Sequence, residues 1–221
     1  LLAYSGYKGF GYVRTFSIAS DGSTIQQLAE LKFDDEDARM IDIEQVASDV
    51  FVLAYTGRSN DGFITTIKVS ADGKTITQPK KIEHDTANAA GSRLIKVDSD
   101  TYALYYYSDG TYVKTFDIPA DGSTITEVAK VKSPNSISIG TVYMGDFIKS
   151  DQGFYIAAST YGNNTYVTTW TISDDGKTIA QKKYHSISNF KDGVSMVQLD
   201  SDTYVLAATG YGRYALNDSQ Y

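Results

Sequence analysis

Cysteine is absent from the 221 residues, histidine occurs twice and proline three times. Without thiols there is no disulfide framework, no thiolate nucleophile and no cysteine-based metal site. No apolar run approaches the length of a membrane span, and no leader pattern is present. The chain opens at Leu1, inside a strand-like run and without an initiator Met. A fragment or processed product is therefore expected, from which a leader could have been removed. No window carries the period of a useful amphipathic helix. Positive charge is in deficit: the net charge is −7 and the isoelectric point about 4.8. Such a surface repels phosphate backbones and anionic membranes, so neither nucleic acid nor a membrane is an expected partner. There is no Gly-x-Ser-x-Gly elbow, no phosphate loop and no His-Glu-x-x-His motif.

What the chain does have is a repeat. Tyr166 to Ile179 reads Tyr-Val-Thr-Thr-Trp-Thr-Ile-Ser-Asp-Asp-Gly-Lys-Thr-Ile. Its other copies run Tyr12 to Ile25, Phe63 to Ile76 and Tyr112 to Ile125. Each begins with period-two alternation, the mark of a strand. One face carries Tyr12, Arg14, Phe16 and Ile18, or their equivalents. The other keeps Thr at its centre, as Thr15, Thr66, Thr115 and Thr169. Both faces should be covered, the bulkier one more completely, with Trp170 at the site of Phe16, Ile67 and Phe116. Each copy then turns through Asp-Gly: Asp21-Gly22, Asp72-Gly73, Asp121-Gly122 and Asp175-Gly176. Gly supplies the positive φ that a tight turn demands, so these aspartates are read as turn residues rather than metal ligands.

Upstream of each copy lies another apolar run, and upstream of that, except before the first copy, a shorter strand. In the unit taken as reference, strand a is Leu94–Val97, b is Tyr102–Tyr107, c is Tyr112–Ile118 and d is Thr124–Val131. Four antiparallel strands every ~50 residues predict an all-β fold, a β-propeller of four-stranded blades. Five b strands but four c–d hairpins give about five blades with incomplete terminal units. The chain should form a single domain over 1–221, with units starting near 1, 41, 92, 143 and 194. The pattern carried by Thr203–Ala207, Tyr112–Ile118 and Asp121–Ile125 resembles propeller repeats of microbial surface and secreted proteins. The Trp-Asp dipeptide and the Gly-Gly pair that mark two large propeller families are missing.

Function should concentrate in the loops. The d–a and b–c loops share one face of a propeller, and their tips mix Tyr, Asn, Asp and Arg. The candidate ligand-binding residues are Tyr7, Arg58, Asn60, Asp109, Tyr161, Asn163, Asn164 and Tyr211. Tyr supplies a flat apolar face and a hydroxyl, and Asn and Asp planar hydrogen bonding, which suits glycans or protein epitopes. No catalytic, cofactor or metal-binding residue is singled out. His84 and His185 lack a third ligand, and Asp34-Asp35-Glu36-Asp37 reads as a solvated acidic loop. Strand a offers mainly apolar residues, with Lys96 and Gln198. The expectation is a non-enzymatic binding or adhesion module, extracellular or cell-surface, recognising a glycan or a surface protein. A carbohydrate-active hydrolase with carboxylates near the ring axis is the alternative, and a structural spacer the third reading. Exposed terminal edges invite self-association through the terminal blades.

Overall fold

A computed structural model describes residues 1–135, 142–161, 164–188 and 190–210. Blade 1 has three strands, β1 (Leu2–Ser5), β2 (Gly11–Ile18) and β3 (Ile25–Asp34). Blade 2 comprises β4 (Arg39–Gln45), β5 (Val50–Thr56), β6 (Gly62–Val69) and β7 (Ile76–Asp85). Blade 3 comprises β8 (Ala90–Lys96), β9 (Thr101–Tyr107), β10 (Thr111–Asp117) and β11 (Thr126–Lys132). Blade 4 comprises β12 (Val142–Lys149), β13 (Tyr155–Tyr161), β14 (Asn164–Ile172) and β15 (Ile179–Ser188). Blade 5 is the pair β16 (Phe190–Gln198) and β17 (Tyr204–Gly210). All pairing is antiparallel between sequence neighbours. This is the expected propeller architecture: five blades, the terminal ones incomplete. Among the described residues no helix is long and apolar enough to cross a membrane.

The Asp-Gly turns do what their chemistry dictates. Gly22, Gly73, Gly122 and Gly176 sit at φ 72°, 71°, 68° and 68°. Each aspartate accepts the backbone N–H two residues on, at 3.0–3.1 Å. Those bonds hold the exposed Asp175 carboxyl down to about 2, with Ser173 the leading donor.

The turns also tie the blades together. The central Thr of each third strand donates to the turn-glycine carbonyl of the next blade. Thr15 Oγ1 reaches Gly73 O at 2.6 Å, Thr66 reaches Gly122 O at 2.7 Å and Thr115 reaches Gly176 O at 2.7 Å. Between these straps the cores are stacked. Val52, Ala54 and Ile64 of blade 2 pack with Leu104, Tyr106 and Phe116 of blade 3. Tyr105 and Val113 pack with Phe147, Tyr155 and Trp170 of blade 4. The bulkier face of the repeat is buried at Ile67, Phe116, Ile118 and Trp170, as its pattern predicts. In blade 1 it is not: Phe16 is 37% exposed and Ile18 65%, while Val13 and Thr15 on the opposite face are buried. Among the described residues no blade lies against that outer face. On the far side, Phe154, Ile156, Val167, Met196, Tyr204 and Leu206 line an open apolar groove between blade 4 and β16–β17.

Candidate functional site

The described loop tips sit on four b–c connections. Tyr7 is 80% exposed in a short turn. Arg58 pairs with Glu36 at 2.6 Å, and Asn60 Oδ1 accepts from Arg39 at 2.9 Å. Asp109 is tied within blade 3 to Lys132, at 2.9 Å, and to the Tyr112 hydroxyl. Asn164 Nδ2 donates to Tyr166 Oη at 3.2 Å. Tyr161 lines a cavity between blades 3 and 4. Asn163 and Tyr211 lie outside the described residues.

Of the acidic run, Asp35 and Glu36 are solvated as expected, but Asp34 at its head is not. Asp34 is 6% exposed. Its Oδ2 accepts the Tyr55 hydroxyl at 2.7 Å and the Lys81 ammonium at 2.6 Å. Its Oδ1 accepts the N–H groups of Glu36 and Asp37. The next boundary repeats the arrangement: Asp85 Oδ2 accepts the Tyr106 hydroxyl at 2.7 Å and the Lys130 ammonium at 3.1 Å. Burial works against both carboxylates. The hydrogen bonds and the lysine charge outweigh it and hold both below the usual carboxylate range. Burial, reinforced by the facing aspartate, pushes the Tyr55 and Tyr106 hydroxyls far up. Each trio clasps one blade to the next.

His84 is buried, and neither ring nitrogen has a partner among the described residues. Burial, aided by the Lys114 charge, depresses its pKa to about 3. Its ring meets Tyr106 and Phe116 edge-on, so it behaves as an aromatic core residue. Among the described residues no three His, Cys, Asp or Glu side chains converge as a metal site.

A convergent group does occur where the sequence reading expected apolar residues, on the inner strands. Asp42 on β4, Arg93 on β8 and Asp146 on β12 each sit midway along the innermost strand of successive blades. Each reaches across to the next inner strand. Leu94 N–H donates to Asp42 Oδ2 at 2.6 Å. Arg93 Nη2 donates to Met144 O at 2.8 Å, and its Nη1 to Ser92 O. Asp146 Oδ2 accepts from Met196 N–H at 2.5 Å and from Ser195 Oγ at 2.8 Å. All three charged side chains remain partly exposed. Burial raises the Asp42 pKa above its ordinary value. The Leu94 bond and the Arg93 charge oppose that rise, and the Asp146 charge adds to it. Glu44, one residue pair further along β4, is raised chiefly by burial as well. The guanidinium thus sits on the inner strand between those that carry the two carboxylates.

Fold comparisons now bear on the assignment. No family model matches the sequence, and no curated protein matches it. Solved structures do. A Lactobacillus plantarum protein is 12% identical with a TM-score of 0.65, covering 91% of this chain and 61% of its own. A putative 6-phosphogluconolactonase from Bacteroides fragilis is 14% identical with a TM-score of 0.56, covering 81% of this chain and 55% of its own. A periplasmic gluconolactonase from Pseudomonas aeruginosa is 10% identical at a TM-score of 0.43, covering 80% of this chain and 64% of its own. The chain therefore spans about three fifths of the length of the structures it resembles. At these identities the likeness shows the fold alone.

Two expectations fall. The non-enzymatic adhesion module rested on a regular scaffold with Tyr- and Asn-rich tips and on the lack of a catalytic motif. It is overturned by the likeness to a propeller named as a putative 6-phosphogluconolactonase, and the inner strands carry charged side chains that the sequence reading did not single out. The extracellular or cell-surface setting rested on the same reading and goes with it.

Proposed function

We propose that this chain forms part of a propeller hydrolase of lactone type, with Asp42, Arg93, Asp146 and Ser195 around the ring axis as its site. The observation that carries the reading is the Asp–Arg–Asp series at equivalent positions on three successive inner strands, with Asp42 protonation sensitive to the other two. The fold it shares with a putative 6-phosphogluconolactonase supports it.

The chemistry follows from those groups. A carboxylate takes a proton from water as the water oxygen attacks the ring ester carbonyl. An N–H of Arg93 not used on Ser92 or Met144 donates to the oxygen on which charge develops. The same carboxyl returns the proton to the ring oxygen as the carbon–oxygen bond breaks, leaving a hydroxy acid. Asp42 is assigned as the base, since burial moves its pKa toward neutrality. Asp146, fixed by Ser195 and Met196, orients the guanidinium.

The test is hydrolysis of 6-phosphogluconolactone and of its unphosphorylated counterpart, followed by acid release with the whole protein. Asp42→Asn should lower kcat by roughly 10²–10⁴-fold, the scale of lost general base catalysis. A melting temperature recorded beside it separates this from loosening of the β4–β8 strap. Turnover of both lactones no faster than in buffer overturns the assignment.

A further inference from the structure

The first three blade boundaries are built from equivalent positions, and the third departs from the pattern at all of them. At the first, Asp34, Tyr55 and Lys81 form the clasp. At the second, the same register positions hold Asp85, Tyr106 and Lys130. At the third they hold Ser133, Ser159 and Tyr184. A carboxylate, a phenol and an ammonium have given way to two hydroxymethyl side chains and a phenol. No charge remains there.

The tyrosine has also changed sides. Ala54 packs against Tyr106 at the second boundary. At the third the position of Ala54 is Tyr105, whose hydroxyl lies 3.2 Å from Ser159 Oγ. The exchange does not refill the space. It leaves a cavity of about 20 Å³ lined by hydroxyls and tyrosine rings, among them Tyr105, Ser133, Ser159, Tyr166, Thr168 and Tyr184. Such a volume exceeds the roughly 10–15 Å³ that one water-sized group needs.

We infer that this cavity between blades 3 and 4 is a subsite for the hydroxyl group of a small uncharged polyol. The lining decides the class. A charged group would be desolvated with no countercharge to meet it. An apolar group would cover the Tyr105 and Ser159 hydroxyls without bonding them. A hydroxyl both donates and accepts, and it matches side-chain hydroxyls that rotate to do either. Placement gives the subsite a use: Tyr105 is the register partner of Arg93, and Ser159 that of Met144, the residue whose carbonyl Arg93 holds. The inner margin of the cavity, at Tyr105 and Ser159, thus belongs to the strands that pair directly with those of the charged cluster. The inference stands whether or not that cluster hydrolyses lactones.

The probe is glycerol, titrated into the isotope-labelled full chain, with acetate as a charged control. Saturable amide shifts confined to Ser159, Thr168 and their neighbours are expected with glycerol and not with acetate. Rebuilding the second boundary with Tyr105→Ala, Ser133→Asp, Ser159→Tyr and Tyr184→Lys together should abolish them. Ser159→Ala, which keeps the packing, should weaken binding by about tenfold, the loss of one hydrogen bond. Asp42→Asn should leave the glycerol response unchanged, which separates this site from the hydrolytic one. No saturable response to glycerol, an equal response to acetate, or an undiminished response in Ser159→Ala overturns the inference.

Discussion

Tyr106→Phe tests whether the clasps or the apolar stacking hold the blades in register. The ring is fully buried, and its hydroxyl donates to Asp85 Oδ2 at 2.7 Å. Removing one oxygen keeps the packing and deletes a bond to a charged acceptor, worth roughly 1.5–3 kcal/mol. Asp85 keeps Lys130 and the Ala87 N–H, so the lower half of that range, about 2 kcal/mol, is expected. In a chain of this size that lowers the melting temperature by about 4–8 °C. Tyr55→Phe should cost the same, because Asp34 is held by the same kind of trio. The hydroxyl pair at the third boundary is neutral, and Ser159→Ala there should cost only about 1 kcal/mol. The carboxylate adds a pH signature. Asp85 has a folded pKa below its unfolded value, so its contribution is full above the unfolded value and fades as pH falls through the folded one. The gap between wild type and Tyr106→Phe should narrow over that acid range. Denaturant unfolding at neutral and acid pH measures both. A loss under about 0.5 kcal/mol, smaller than an ordinary net hydrogen bond, would mean that stacking alone sets the register. So would a gap that does not change with pH.

The blade was legible because its signals are local. Alternation, Asp-Gly turns and a ~50-residue period each rest on residues near in sequence. The clasps and the inner cluster were not, because their partners come from different blades. Asp34 meets Lys81 only after three strands of the next blade have been laid down. Inside an acidic run, nothing local distinguishes that buried carboxylate from its exposed neighbours. The inner strands misled for a different reason. Asp42, Arg93 and Asp146 are flanked by Ile, Leu and Phe, and the other charged residues of these strands lie toward their ends. Stacking three such strands side by side turns one mid-strand charge per strand into a group. The signal available was the recurrence of a charged residue near the middle of each inner strand, visible only once the blades are aligned. At the loop tips the sequence shows composition but not partners: Arg58, Asn60 and Asp109 bond to residues that only the fold brings beside them.

Three further outcomes are expected. Trp170→Ala should cost about 3–5 kcal/mol by cavity formation, since the ring is fully buried and its Nε1–H is bonded to Thr168 Oγ1. A loss below about 1 kcal/mol in denaturant unfolding would place the ring outside the core. Thr115→Val leaves the Gly176 carbonyl without its donor and should cost roughly 1–3 kcal/mol. Equal melting temperatures for that variant and wild type would show that the straps do not hold the blades. His84→Phe should be neutral or stabilising, because the native ring hides two nitrogens that lack partners among the described residues and Phe fits the same aromatic contacts. The pH dependence gives this variant its decisive readout. The folded pKa of His84 is depressed to about 3, far below the ordinary histidine value of 6.5. Between those values the unfolded chain binds a proton that the native chain refuses, so wild-type stability falls as pH drops through that window. His84→Phe removes the group and with it that part of the slope. Wild type and variant should therefore separate progressively on acidification from neutrality, the variant being the more stable. Parallel stability curves would mean that His84 takes up its proton in the folded state, and the ring would then have to lie beside water rather than between Tyr106 and Phe116.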